Sequence, residues 1–211
     1  MANCDQTDDL TSFKNRVLDD LLPKFCDDPS RGWGSAGFKQ PDWSKVSKLD
    51  AKDFLRALDT NLVEHVGRGQ YLAPRSGAKE QFFWTGAKNV TPRPFSLWME
   101  PIITVAGLAR LHFEYGWPSK FLGTQPPGWA FDLVAYNRFD LVKERVACEI
   151  KKSTLERDQL VRLMQQFATT NVQSEASMSG REKNAFRKLK ALRYRKVPVF
   201  WALGPGGAGD R

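Results

Sequence analysis

The fold expected of this chain depends on residues 129–156, which read WAFDLVAYNRFDLVKERVACEIKKSTLE. Two short apolar runs, residues 129–136 and 145–151, predict strands, and the polar residues 137–144 between them predict a connection. A connection of this length suits a hairpin, so we expect the two strands to pair in antiparallel fashion.

Charged side chains stand at matching positions of these two apolar strands. A hairpin centred near Asp140 places Asp132 opposite Glu149, and alternate side chains of a strand share one face. Asp132, Glu149 and Lys151 therefore share one surface, whereas Cys148 turns to the other face as a small buried hydrophobe. Three charges among apolar residues are costly unless they pair or bind an ion. The pattern predicts a cation site.

A helix is expected directly after the second strand. Ser153-Thr154-Leu155-Glu156 has the spacing of a capping box, in which the serine accepts the third backbone N–H and the glutamate returns to the serine N–H. The helix that begins there places four apolar residues on one face, namely Leu160, Leu163, Met164 and Phe167.

The elements on either side of this unit determine the expected fold class. We predict a helical segment (residues 1–30), an irregular loop (32–43), a helix (50–66), a hairpin (70–85), an apolar helix (101–115), a polar loop (173–180), a basic helix (181–196) and a strand (197–203). This order predicts an α/β (α+β) fold with a mixed central β-sheet flanked by helices. We divide the chain into a mainly helical or irregular N-terminal extension of unclear role (1–95), a core (96–203) and a flexible, disordered tail (204–211).

The core resembles the PD-(D/E)xK nuclease superfamily, in which an Asp on one strand is followed by Glu-x-Lys at the end of the next strand and by a capped helix. The matching residues are Asp132 and Glu149-Ile150-Lys151. Phe131 stands where the name-giving motif has proline. The resemblance implies a restriction-endonuclease-like fold and a metal-dependent phosphodiester hydrolase.

The resemblance also implies a role for each residue of the motif. Asp132, Glu149 and the carbonyl of Ile150 would bind Mg²⁺, with Mn²⁺ as a substitute, because such hard cations prefer oxygen ligands. Lys151 would orient the attacking water or stabilise charge that develops on the phosphate.

Two further site residues are expected from the neighbouring helices. Members of the superfamily often add a glutamate from the preceding helix, and we prefer Glu100 to Glu114 because Glu100 stands at the expected helix start. A carboxylate there also complements the helix dipole without any catalytic role. Gln165 or Gln166 resembles a glutamine of exonuclease-like members.

Charge is distributed unevenly along the chain. The net charge is +8, yet residues 1–30 contain seven Asp and three Lys or Arg, so the remaining residues carry +12. Residues 181–196 contain eight Lys or Arg and one Glu. This asymmetry indicates a polyanionic partner, because Lys and Arg bind phosphates and release condensed counterions. A solvated basic helix face is the simpler alternative.

We therefore expect a nuclease that acts on DNA. The cations expected to bind nucleic acid are Lys152, Arg181, Lys183, Arg187, Lys188, Lys190, Arg193 and Arg195. Trp33 and Trp43 are candidates for base stacking, although packing is the simpler interpretation.

Two alternatives remain open on these residues. One is a catalytically inactive nucleic-acid-binding module that keeps the fold. The other is a protein-interaction module whose acidic N-terminal segment covers its own basic surface or docks a partner.

The chain shows no pattern of membrane or disulfide-linked proteins. Its apolar stretches are shorter than the roughly 20 residues that cross a bilayer, and its N-terminus lacks a basic start followed by an apolar run. Three scattered cysteines do not form a disulfide framework. We expect a cytoplasmic protein with reduced thiols and no membrane partner, and a homo-oligomer or a protein partner stays open.

Overall fold

The structure is a computed structural model that describes residues 8–28, 34–126, 128, 130–170, 175–207 and 209–210. The helices are α1 (Asp9–Asn15), continued by a π-helical segment (Arg16–Leu21) and α2 (Leu22–Cys26), then α3 (Lys48–Asp59), α4 (Met99–Phe113), α5 (Thr154–Thr169) and α6 (Gly180–Arg195). The strands are β1 (Phe38–Lys39), β2 (Glu64–His65), β3 (Gln70–Leu72), β4 (Glu80–Gln81), β5 (Phe83–Thr85), β6 (Phe95–Leu97), β7 (Leu122–Thr124), β8 (Leu133–Tyr136), β9 (Glu144–Ile150), β10 (Val199–Leu203) and β11 (Gly209–Asp210). The chain is a mixed α+β protein, as the order of predicted elements indicated.

The largest sheet has five strands in the order β11-β10-β9-β8-β7. Strand β8 runs antiparallel to both β7 and β9, whereas β10 runs parallel to β9 and antiparallel to β11. Two three-stranded sheets, β1-β6-β5 and β2-β3-β4, come from the N-terminal part. The expectation of a mixed sheet flanked by helices is confirmed at this level.

The two faces of this sheet belong to different apolar clusters. Leu133 and Cys148 point into the larger cluster, which also contains the buried side chains of α4. Val134 and Ala147 point to the other face, where α5 and α6 cover the sheet. Each fully buried Leu or Phe side chain contributes about 1.5–3 kcal/mol, so the clusters hold helices on both faces.

Helix α4 is buried on every side over residues 101–111. Gly107 lies where the helix meets the sheet, and a Cβ there would stand 2.9 Å from Leu203 Cδ1. Glycine at this position therefore permits the close approach of α4 to the sheet. No helix in the described part of the chain, α4 included, is long and apolar enough to cross a membrane.

The N-terminal extension shares the packed core of the C-terminal part. Side chains of α1, α2 and α3 lie in the same apolar cluster as α4. Residues 75–77 also continue the large sheet, because Arg75 N donates to Leu122 O and Gly77 N to Thr124 O, each at 3.0 Å. A Cβ at Gly123 would lie 2.2 Å from Arg75 O, so glycine permits this contact.

Several predicted boundaries are wrong in detail. The helix expected over residues 50–66 ends at Asp59, and Asn61 has a φ of 54°. Residues 64–65 form β2 instead. The hairpin expected over residues 70–85 is correct for β3 and β4, but β5 pairs with β6.

The capping box predicted at Ser153–Glu156 is correct in its first half. Ser153 Oγ accepts the N–H of Glu156, whereas the Glu156 carboxylate lies 3.7 Å from Lys152 Nζ. A capping box with both bonds opens α6 instead, between Ser179 and Glu182.

The tail expected to be disordered has regular structure over its described residues, 204–207 and 209–210. Pro205–Gly207 form a 3-10 turn, and Gly209 and Asp210 pair with β10. Gly206 and Gly207 have φ of 77° and 69°, so glycine serves a turn here.

Trp43 of the predicted stacking pair packs edge-on against Phe13, and Trp33 lies outside the described residues.

Candidate active site

Strands β8 and β9 bring Asp132 close to Glu149. Leu133, the first residue of β8, pairs with Cys148, and Asp132 directly precedes it, near enough for the charge of Glu149 to raise the pKa of Asp132 further after burial. The side chains alternate as expected, because Val134 and Ala147 lie on the α5–α6 face and Cys148 lies on the other. The antiparallel pairing is therefore confirmed from Leu133 onward, whereas the alternation expected before Leu133 is not, because Phe131 lies in the same cluster as Val134.

Asp132 is held by backbone groups at the start of β8. Its Oδ2 accepts the N–H of Ile150 at 2.8 Å, and its own N–H donates to Cys148 O at 3.0 Å. Burial raises the pKa of Asp132 to about 7, and the negative charge of Glu149 adds to the rise, against the Ile150 N–H and two lysines. The site favours a neutral acid here unless a cation is added.

Glu149 is 3% exposed and carries an ammonium group on each oxygen. Oε1 accepts from Lys151 Nζ at 2.7 Å, and Oε2 accepts from Lys188 Nζ. Burial opposes the charged form of Lys151, but Glu149 and Asp132 outweigh it and raise the pKa of Lys151. Two ion pairs thus compensate the buried Glu149 charge.

Lys188, one of the cations predicted to bind nucleic acid, points toward the carboxylates, where its Nζ donates to Glu149 Oε2. Its Nζ also donates to Ala130 O at 2.8 Å and lies 5.6 Å from the centroid of Phe131. The sequence carried a signal for this position. Lys188 falls on the same helical stripe as the buried Ala185 and Leu192.

Glu80, at the start of β4, is a site neighbour that the sequence reasoning missed. It is 6% exposed, and Oε1 has no hydrogen-bond partner among the described residues. Burial raises the pKa of Glu80 to about 7, hydrogen bonding with Thr124 opposes this, and the negative charge of Asp132 adds to it. The sequence signal for its burial was strand parity: Glu80 and the fully buried Phe82 are two residues apart, so an extended chain places them on the same face.

A pocket of about 170 Å³ opens beside Lys151. Its lining residues come from four elements: Glu100, Lys151, Glu156, Gln159, Leu160, Leu163, Arg181 and Asn184. Glu100 Oε2 accepts from Trp98 Nε1 at 3.2 Å. Glu114 follows the opposite end of α4, about 20 Å away at 1.5 Å per residue. Glu100 lines the pocket and Glu114 does not, which agrees with the preference for Glu100.

The glutamine of α5 that lines the pocket is Gln159. Gln165 and Gln166, the two candidates from the sequence, are exposed one to two turns further along the helix. Gln159 follows Glu156 by three residues and precedes Leu163 by four, so helical spacing puts all three on one face. That spacing was the usable signal.

The predicted phosphate-binding cations of α6 point in different directions. Arg181 faces the pocket, where Nη1 donates to Gln159 Oε1 at 3.2 Å, and Lys188 faces the carboxylates. Lys183, Arg187 and Lys190 share the outer face by their spacing, and Arg187 Nε donates there to Glu175 Oε2 at 2.8 Å. The others bond elsewhere: Arg193 to Ala168 O, Arg195 to Glu144 and Lys152 to Glu156. Of the whole predicted set, the structure brings Arg181 and Lys188 to the site.

The donor set is compatible with a divalent cation that keeps several waters. Within the described residues, no group of three or more His, Cys, Asp or Glu side chains is placed to hold a metal ion. Mg²⁺, however, is commonly held by one or two carboxylates together with substrate phosphates and water. Asp132 and Glu149 meet that lower requirement, and a cation would counter both the burial and the Glu149 charge that raise the pKa of Asp132.

No protein-family model, curated protein or solved structure matches this chain. The functional assignment therefore rests on the geometry of the site.

Proposed function

We propose that this chain is a Mg²⁺-dependent nuclease with a restriction-endonuclease-like fold, acting on DNA. The observation that carries the proposal is the convergence of the Asp132 and Glu149 carboxylates with the Lys151 ammonium at the ends of two adjacent strands. Glu100 and Arg181 line the adjoining pocket. An Asp, a Glu-x-Lys and a capped helix in this spatial arrangement support the resemblance to the PD-(D/E)xK superfamily.

The backbone supports Ile150 as a third source of oxygen. Its N–H donates to Asp132 Oδ2, and the N–H and C=O of one strand residue point to the same side of the strand. The Ile150 carbonyl therefore faces the Asp132 side, where it would join the two carboxylates around the ion. Bound Mg²⁺ would polarise the scissile phosphate and acidify a water molecule.

The chain's own residues supply the remaining chemistry. Lys151 Nζ, now on Glu149, is placed to donate to a phosphate oxygen or to the attacking water, and its raised pKa keeps it protonated. Arg181 would bind a neighbouring phosphate, because a guanidinium can donate two parallel hydrogen bonds to it. Glu100 lines the same pocket, and its negative charge would restrict where the phosphate can lie.

The test is cleavage of DNA by the purified protein. We expect cleavage with Mg²⁺ or Mn²⁺, none with EDTA, and a loss of about 100-fold or more in Asp132→Asn and in Lys151→Met. RNA of the same sequence, tested in parallel, decides the substrate class. Matched controls are Asp140→Asn and Lys143→Met, which change an exposed ion pair on the β8–β9 loop and should retain cleavage. Full activity in both site variants would contradict the assignment.

A non-catalytic nucleic-acid-binding module is the second candidate, and one observation favours it. Lys151 and Lys188 already occupy both oxygens of Glu149, while Lys183 and Lys190 lie on the outer face of α6 by their spacing. This candidate predicts salt-sensitive DNA binding that neither Mg²⁺ nor Asp132→Asn alters.

Over residues 8–28, the acidic N-terminal segment contacts α3 and the apolar cluster of α4. Asp8 pairs with Lys48 and Arg16 with Asp59, both on α3, and Phe13 lies in the cluster of α4. Helix α6 belongs to the cluster on the opposite face of the sheet. Among the described residues, the contacts of this segment do not support the alternative in which it covers α6.

A further inference from the structure

Lys188 reaches the carboxylates from a different element than the strands that carry them. Its Nζ, extended from the middle of α6, donates to Glu149 Oε2 and to Ala130 O, and its side chain is 11% exposed. The ammonium group is thus surrounded by one carboxylate oxygen, one backbone carbonyl oxygen and the face of Phe131. Oxygen atoms of these two kinds are also the preferred ligands of Mg²⁺.

A divalent ion and Lys188 compete for Glu149. The ion needs an oxygen of this carboxylate, and each oxygen now accepts a hydrogen bond from an ammonium group. The divalent ion and the Lys188 ammonium would repel each other strongly if both were bound to this buried carboxylate, since the interior screens charges much less than water does. Lys151 belongs to the same strand as Glu149, whereas Lys188 can withdraw along its flexible four-carbon stem.

We propose that Lys188 is a displaceable cation that neutralises Glu149 in the metal-free protein, leaves when the divalent ion binds, and then binds a phosphate of the substrate. This inference rests on the proposed function and adds a second phosphate-binding lysine to it. The position of Lys188 on α6 supports the final step. Arg181 and Asn184 precede Lys188 by seven and four residues, so all three share a helix face, and the first two line the pocket.

Displacement makes the binding of metal and of nucleic acid mutually dependent. The ion releases a cation toward the substrate, and a bound phosphate in turn keeps that cation away from Glu149. Because coupling between two sites is reciprocal, each ligand should strengthen the binding of the other.

The first test measures the reactivity of Lys188 in the wild-type protein. We would treat the protein with an acetylating reagent, with and without Mg²⁺, and quantify each modified lysine by mass spectrometry. Modification of Lys188 should rise at least about fivefold with Mg²⁺. Lys190, exposed on the outer face of the same helix, is the control and should not change. Unchanged reactivity of Lys188 in a metal-loaded protein would overturn the inference.

The second test measures Mn²⁺ affinity without nucleic acid, by calorimetric titration. Lys188→Met and Lys188→Gln should bind Mn²⁺ about tenfold or more tightly than the wild type, because the competing cation is gone. Lys190→Met should bind as the wild type does. Equal or weaker binding in both Lys188 variants would overturn the inference alone. If the wild type binds no Mn²⁺, or binds it equally well with Asp132→Asn, the proposed function fails and this inference fails with it.

Discussion

Two buried charge clusters lie in this molecule, and they differ in what their charges do. The Arg110 cluster comprises Arg110, Asp50 and Asp53, and the Glu149 cluster comprises Asp132, Glu149, Lys151 and Lys188. In the first, Arg110 Nε donates to Asp53 Oδ2 at 2.6 Å, and Nη2 donates to Asp50. All three residues are at most 4% exposed.

The Arg110 cluster fastens three elements together. Asp50 and Asp53 belong to α3, Arg110 belongs to α4, and Gly206 of the C-terminal turn donates its N–H to Asp50 Oδ2 at 2.7 Å. Ser47 adds a hydroxyl donor to the same oxygen at 2.7 Å. Burial raises the pKa of Asp53, but the guanidinium opposes that rise. The hydrogen bonds of the Arg110 cluster join residues that are distant in sequence, so the role of this cluster is structural.

The Glu149 cluster is less buried than the Arg110 cluster, since the side chains of Lys151 and Lys188 are 19% and 11% exposed. It adjoins the pocket beside Lys151, and the pKa of Asp132 is raised to about 7 in spite of two nearby lysines. The nearby Glu80 adds a third carboxyl group with an equally raised pKa. Burial and charge alone do not identify a functional site. Access from a pocket separates the two clusters, because Lys151 lines the pocket and no residue of the Arg110 cluster does.

The largest expected effect breaks the structural cluster. Arg110→Met leaves two buried carboxylates without their cation, so the free energy of unfolding should fall by about 3–5 kcal/mol. Urea unfolding followed by tryptophan fluorescence measures this loss. Lys143→Met, which removes an exposed ion pair, should change stability by less than about 0.5 kcal/mol.

The folded fraction of Arg110→Met should still cleave DNA at the wild-type rate when measured at low temperature, because Arg110 lies outside the pocket. A variant as stable as the wild type, or one that is fully folded yet inactive, would erase the distinction between the clusters.

The strand pair of the Glu149 cluster was predictable because its signal is local. Two apolar strands with period-two alternation predicted an antiparallel pair, and the structure pairs Leu133 with Cys148, next to Asp132 and Glu149. Helix α4 was also predictable, since a helix that is buried on all sides needs a continuous apolar run.

The contacts that complete both clusters were not predictable, because they join distant parts of the chain. Glu80 reaches the vicinity of Asp132 only because residues 75–77 pair with the edge of β7. Lys188 is 39 residues from Glu149, and Arg110 is 60 residues from Asp50. A helical stripe or strand parity can place each residue on a face, but the partner across the face depends on tertiary packing.

The next largest expected effect is a dependence of stability on pH, which the Glu149 cluster and Glu80 cause. Folding raises the pKa of Asp132 and of Glu80 from ordinary carboxyl values to about 7, so the folded protein binds protons that the unfolded chain releases. Stability from these groups is present at low pH and is lost as pH rises through 7. In EDTA, the free energy of unfolding should therefore fall by about 1–3 kcal/mol between pH 5 and pH 8. Unfolding titrations at intervals of about 0.5 pH would measure this decline.

Asp132→Asn should flatten this decline and stabilise the metal-free protein at pH 8, because the amide stays neutral and can still accept the Ile150 N–H. The control Asp140→Asn removes an exposed carboxylate whose pKa is lowered, so it should leave the slope above pH 5 unchanged. A wild-type stability that rises across this range would show that Asp132 is ionised at low pH and needs no added cation.

The smallest effect comes from two serines that cap helices beside the two clusters. Ser47 Oγ accepts the N–H of Asp50 at 2.9 Å at the start of α3, and Ser153 Oγ accepts the N–H of Glu156 at 3.2 Å at the start of α5. Ser47→Ala and Ser153→Ala should each lower the free energy of unfolding by about 1 kcal/mol in urea titrations.

Activity should separate these two equal losses. Helix α5 carries Glu156 and Gln159 into the pocket, so a frayed first turn misplaces them, and Ser153→Ala should cleave DNA at least about fivefold more slowly. Ser153→Asp, which can still cap the helix, should restore most of that rate. Ser47→Ala should cleave at the wild-type rate, because the helix that it weakens carries only the structural cluster. If both alanine variants lost activity equally, the pocket would depend on global stability, and the local order of α5 would have no separate part in cleavage.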